Sequence, residues 1–113
     1  MIKIAIIGGG PAGLSAAIYA SRAIMDPVVF APAGGQLTLS PDVCNYPGFP
    51  DKISGFELIE RMQKQALNYG AKFIQRNIDK VDFSKRPFRF WTGGEEFFAE
   101  SIIVATGSSA KWL

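Results

Sequence analysis

The stretch that most restricts what this chain can fold into is IAIIGGGPAG, residues 4–13. Ile4-Ala5-Ile6-Ile7 is an unbroken apolar run, the pattern of a central parallel strand covered on both faces. Gly8-Gly9-Gly10 breaks it, and Pro11 suits the first turn of a helix, where its missing N–H would have no partner anyway. Leu14-Ser15-Ala16-Ala17-Ile18-Tyr19-Ala20 carries that helix to about Ala23. Asp26-Pro27 turns the chain, and Val28-Val29-Phe30 reads as a second buried strand. These pieces make a βαβ unit.

Within it, Gly8-x-Gly10-x-x-Gly13 matches the dinucleotide fingerprint. The first glycine permits the tight turn, the second lets a pyrophosphate approach the backbone, and the third lets helix and strand pack closely. The helix N-terminus adds free N–H groups and a positive dipole end. Alone the pattern is weak, but here it follows a strand, opens a helix and closes a βαβ unit. One element is missing. The ribose-binding Asp or Glu expected at the end of the second strand is replaced by Ala31, and Asp26 stands at that strand's wrong end. No Arg stands nearby to accept a 2′-phosphate.

From Ala31 to Ser54 the composition turns to Pro, Gly, Asn, Asp and Thr without a sustained period, a long loop of the kind that is uncommon unless functional. Ser54-Gly55-Phe56-Glu57 reads as a capping box, with Glu57 reaching back to the cap. Phe56, Ile59, Met62, Ala66 and Tyr69 fall at helical spacing as the apolar face, and Gly70 is placed to end the helix. Ala71–Arg76 reads as a short strand. Val81–Phe83, Pro87–Thr92 and Glu96–Glu100 read as a small antiparallel meander, with Gly93-Gly94 as a hairpin turn. Ile102–Ala105 returns to the parallel sheet as a buried strand. The expected class is α/β, a Rossmann-like domain of parallel sheet and helices with a small antiparallel meander.

Composition removes several function classes. At 113 residues the chain is one domain's worth, with 48% hydrophobic and 19% charged residues, and its net charge of +2 is too small to suggest nucleic acid. Histidine is absent, which removes the commonest acid–base catalyst and metal ligand, and no metal site is expected. Cys44 is the only cysteine, so neither an internal disulfide nor a CxxC pair can form within these residues; this favours a reduced, cytoplasmic setting. The N-terminus runs straight into a strand without a signal peptide's features, and no apolar stretch reaches the roughly 18 residues of a membrane span. The expectation is a soluble cytoplasmic protein without membrane or nucleic-acid partners.

The loop sequence Gly34-Gly35-Gln36-Leu37, followed by Asn45-Tyr46-Pro47-Gly48-Phe49-Pro50, resembles the low-molecular-weight thioredoxin reductases. The likeness extends over IIGGGPAGLSAAIYASRA, GFELIERMQKQALNYGAKF, VDFSKRPFRFWT and IIVATGSSAKWL, several separated motifs in one order. It implies FAD as cofactor. Gly8, Gly9, Gly10, Pro11, Ala12 and Gly13 match the segment around the pyrophosphate. Gly35, Gln36, Leu37 and Asn45 match the loop against the flavin and ribityl end. Ile78 matches the position whose main chain meets the adenine, and Thr106-Gly107 matches the turn beside the cofactor. An amide such as Gln36 or Asn45 can donate and accept at once, as a flavin's alternating edge requires. Asn45, which precedes a Tyr-Pro-Gly turn, can equally bond its own backbone.

Three departures from the pattern stand out. Only Ala31-Pro32-Ala33 separates the second strand from Gly34-Gly35, which shortens the region of the adenosine ribose. Cys44 occupies a position usually acidic or polar in relatives, where it is expected to be a small buried or half-buried side chain. The resemblance also implies a following NADPH domain with a CxxC pair, then a return of the chain to complete the FAD domain, none of which these residues contain. Residues 1–113 are therefore expected to be a partial FAD-binding domain that lacks its C-terminal completion. In full-length relatives electrons pass from NADPH to FAD to a dithiol and on to thioredoxin, commonly in a homodimer. Two other readings stand beside this one: a non-catalytic nucleotide-binding module or truncated remnant, and the flavin segment of a related peroxide-system reductase.

Overall fold

The computed structural model describes residues 1–32 and 41–107. In chain order these form β1 (Ile2–Ile7), α1 (Pro11–Arg22), β2 (Val28–Phe30), α2 (Gly55–Asn68), β3 (Lys72–Ile74), β4 (Lys80–Asp82), β5 (Phe88–Thr92) and β6 (Glu95–Val104). The strands make one six-stranded sheet, ordered β3-β2-β1-β6-β5-β4. β1 lies parallel to both β2 and β6, with Ile6 opposite Val29 on one side and Ile103 on the other. β2 lies parallel to β3, whereas β4, β5 and β6 pair antiparallel.

The pleat sorts the core into two sides. Ile4, Ile6 and Val29 pack against Ala17 and Ala20 of α1 and Ala66 of α2. Ala5 and Phe30 face the other way, onto Phe90 and Ala99. The meander thus covers the sheet face opposite the helices. Phe30 meets Phe90 edge-on at 5.1 Å between centroids and Phe97 at 5.2 Å, while Phe90 and Phe97 stack at 5.5 Å. Such ring pairs add about 0.5–1.5 kcal/mol each beyond the area they bury. At the turn after β4, hydrogen bonds from the Ser84 hydroxyl and main-chain N–H, followed by the Arg89 guanidinium, hold the Asp82 carboxyl below the ordinary carboxylate range.

Both helices end in the same way. After α2, the Gly70 N–H donates to the Leu67 carbonyl and the Ala71 N–H to that of Ala66, with Gly70 at φ +106°. This is a Schellman end, and the expected role of Gly70 holds. After α1, the Ile24 N–H donates to Ser21 and the Met25 N–H to Ala20, but the left-handed residue is Ile24 at φ +58°. A β-branched residue adopts that conformation only under strain. Asp26 follows at φ +48° and completes the turn into β2.

Several expectations need correction. Glu96–Glu100 and Ile102–Ala105 are not separate strands, because β6 runs unbroken through Glu100 and Ser101. Ala99 pairs with β5 and β1 at once, and the Ser101 hydroxyl donates to the Lys3 carbonyl at 2.8 Å, so the polar pair is absorbed into the ladder. The end of that strand is not buried: Ile103 and Val104 are exposed. On α2 the buried stripe is Leu58, Ile59, Met62 and Ala66, with Phe56 and Tyr69 outside it. The capping box is half formed. The Ser54 hydroxyl accepts from the Glu57 N–H at 3.0 Å, but the Glu57 carboxylate turns forward to Arg61 at 2.8 Å instead of reaching back. β3 is shorter than Ala71–Arg76, and β4 lies one residue earlier than Val81–Phe83, leaving Phe83 exposed. The Gly93-Gly94 turn stands as read, with φ +55° and +84° matching a two-residue hairpin between Thr92 and Glu95.

Candidate functional site: a glycine turn at the strand ends

Gly8 lies where β1 ends, and a side chain there would overlap the Ala105 carbonyl beyond β6. The Gly8 N–H donates to the Phe30 carbonyl at 2.9 Å, and the Ala105 N–H donates to the Ile7 carbonyl at 2.8 Å. The exits of β1, β2 and β6 are thereby drawn together. Gly13 is the packing glycine of the motif, since a side chain on it would run into the Gly8 carbonyl. Gly10 is different. It caps α1 with φ −82° and has no described atom within 4 Å of a Cβ placed on it.

The open side of Gly10 faces a helix end suited to an anion. The N–H groups of a helix's first turn lack intrahelical partners. Among the described residues no side chain caps them in α1, no acidic residue occupies the first turn, and Ala12 is exposed. Pro11 contributes no N–H of its own and sits at the position where none is needed. Phosphate oxygens therefore fit this end in charge and in room.

At the end of β2, Ala31 does replace the expected carboxylate, and a Cβ on Gly9 would come within 2.7 Å of the Ala31 methyl. A cleft of about 660 Å³ opens beside these two residues, with Pro32 at its rim. Its far wall is α2, through Phe56, Glu60 and Gln63. The sequence pattern puts Phe56 on the apolar face of α2 and gives Glu60 and Gln63 no role. The spacing 56, 60, 63, 67 was the available signal, a second stripe on α2 beside the buried one.

Thr106 and Gly107 follow β6 after Ala105 and are exposed, with the Thr106 N–H close against Gly8. The two turns expected to embrace a cofactor therefore meet. Asn45 lies on the loop before α2, exposed, with its amide bonded to no described residue. Two residues earlier Val43 and Ile53 exchange main-chain hydrogen bonds at 2.7 and 3.1 Å. Val43 also shares an apolar cluster with Leu14 in the first turn of α1, which holds this loop at the glycine turn's end of the molecule. The Ile78 side chain packs into the core with Phe30 and Phe90, so it offers a ligand main chain only. Gly35, Gln36 and Leu37 lie outside the described residues.

Comparison with known proteins agrees with this geometry. The profile of the family Pyridine nucleotide-disulphide oxidoreductase matches residues 2–113. A thioredoxin reductase of Rickettsia felis is 54% identical over 114 residues, covering 98% of this chain and 37% of its own length. Among solved structures, the thioredoxin reductase of Giardia duodenalis superposes with a TM-score of 0.91 at 41% identity, over 98% of this chain and 37% of that one. The Lactococcus lactis thioredoxin reductase gives a TM-score of 0.93 at 30% identity, over all of this chain and 38% of that one. The chain spans little more than a third of the length of the relatives it matches. With the strand–glycine–helix turn in place and the match running from Ile2 to Leu113, the chain belongs to the pyridine nucleotide-disulphide oxidoreductase family.

Proposed function

We propose that these residues form the amino-terminal FAD-binding part of a thioredoxin reductase-like flavoprotein oxidoreductase. The observation that carries this reading is the N-terminus of α1, which among the described residues is uncapped, free of acidic residues in its first turn and open over Gly10. Gly9, Gly10, Ala12 and Gly13 would hold the pyrophosphate through main-chain N–H groups, with Pro11 setting the helix start. Gly8 keeps the turn tight against Ala105, and Thr106-Gly107 closes over it from β6. Asn45, with Gly35, Gln36 and Leu37, would lie along the flavin and ribityl end, and the Ile78 main chain against the adenine. A bound flavin would supply two-electron redox chemistry; the residues here bind and orient it.

In this reading electrons pass from NADPH to FAD, then to a dithiol and on to thioredoxin or a similar protein. Disulfide exchange needs an attacking and a resolving thiol. The sequence holds one cysteine, Cys44, so that step belongs to an NADPH domain with a CxxC pair outside residues 1–113. A second copy of the chain is the further partner proposed. The reading places the protein in the cytoplasm, supported by the lone free thiol; among the described residues no helix is long and apolar enough to cross a membrane.

Gly10→Val tests the assignment cleanly. The added side chain meets no atom of the described residues and Gly10 has an ordinary φ, so the fold should survive. The expected result is an unchanged far-UV circular dichroism spectrum with FAD affinity reduced by about tenfold or more, because the backbone can no longer be approached. Undiminished binding in that variant overturns the placement.

A further inference from the structure

We infer that Arg61 of α2 is the positioning residue for Asn45, clamping the loop so that its amide is presented ready-made to the flavin half of the ligand; this rests on the flavin reading just given. Arg61 lies over the Phe49 ring with its guanidinium carbon 5.8 Å from the centroid. It is aimed there by Glu57, one turn earlier, whose carboxylate it holds at 2.8 Å. Glu57 is itself fixed, since its N–H donates to the Ser54 hydroxyl at the helix cap. On the loop side the Phe49 N–H donates to the Tyr46 carbonyl at 3.3 Å, and the two rings stand 6.3 Å apart.

Asn45 is thus bracketed. The Val43–Ile53 bridge holds the chain on one side, and the Tyr46–Phe49 turn under Arg61 holds it on the other. Tyr46 and Phe49 both pack on the cluster of Leu14, Val43, Ile53, Leu58 and Met62, so the clamp ties the loop to the first turn of α1 as well as to α2. The Arg61 side chain is 60% exposed, and losing it opens no core. What its loss removes is order in the loop, which must then be restored at binding at the ligand's cost in affinity.

The test titrates the full chain separately with FAD and with ADP, which shares the pyrophosphate but lacks the flavin. The proteins are the wild type, Arg61→Leu, Asn45→Ala and the double variant. Arg61→Leu should weaken FAD by about threefold, the worth of an exposed cation–π contact, and leave ADP unchanged. The double variant should bind FAD no worse than Asn45→Ala alone, because Arg61 acts through Asn45. Equal losses for FAD and ADP would mean general damage to the fold and overturn the inference. So would an unchanged FAD affinity in Arg61→Leu, or losses that add. A neutral Asn45→Ala in a chain that binds FAD removes the role of Asn45, and of Arg61 with it, while the glycine-turn assignment stands. A wild-type chain that binds neither ligand overturns the proposed function itself.

Discussion

Ile6 and Ile103 are opposite neighbours in the parallel ladder, as are Ile7 and Val104 one step further along. In sequence the two strands look alike, an apolar run leading to a glycine-bearing turn. Ile6 is fully buried and Ile7 9% exposed, but Ile103 is 37% and Val104 61% exposed. The difference comes from what lies around each strand. β1 has strands on both sides, α1 and α2 against one face and the meander against the other. Beyond Ala99, β6 keeps β1 on one edge but has no described strand on the other, because its ladder with β5 runs only from Glu95 to Ala99. An apolar run therefore reports a strand's capacity for burial, and the neighbours decide whether that capacity is used.

The sharpest way to break the contrast is at the contact that seats α1 on β1. Gly13→Val forces a side chain into the Gly8 carbonyl, where backbone cannot yield. We expect a loss of more than about 4 kcal/mol, enough to abolish a cooperative thermal transition, with nucleotide binding gone too. A folded Gly13→Val protein would show that helix and strand can separate without consequence. Next comes Ile6→Ala, which empties a fully buried position between β1 and the helices. The expected cost is about 3 kcal/mol by urea denaturation. A cost below about 1 kcal/mol would mean that β1 is no better packed than its neighbour.

These same strands show what could be read in advance. β1, α1 and β2 were legible because their cues are local: an apolar run, a glycine break, a proline at the helix start, and a turn before Val28. β6 was not legible as one strand. Glu100 and Ser101 look like a break between two apolar runs, and only the ladder shows Ser101 bonded across to Lys3 while Ala99 serves two partners. The face of α2 failed for a related reason. Helical spacing defines several parallel stripes, and packing against Leu14, Val43 and Ile53 selected the one through Leu58 and left Phe56 lining the cleft. In the site, the glycine turn was readable because its spacing is compact and one of its constraints, Gly13 against the Gly8 carbonyl, lies within six residues, although Gly8 itself is held by the distant Ala105. The contribution of α2, through the cleft wall and the Arg61 clamp, depends on where a distant helix docks, which no local pattern encodes.

The smallest expected effect is the most informative about β6. Val104→Ser removes apolar atoms from a side chain that is already mostly in water and lies beyond the last β6 residue paired with a second described strand. Little transfer free energy is at stake, and surface changes of this kind stay within about 0.5 kcal/mol. Equilibrium urea unfolding at two protein concentrations checks this, because any cover supplied by another chain makes the midpoint depend on concentration. A shift within that range, equal at both concentrations, keeps the contrast between the paired strands. A loss of about 2 kcal/mol, or one that grows with protein concentration, would show that the end of β6 is covered in solution after all. The two strands would then differ in the identity of their neighbours and not in whether they have them.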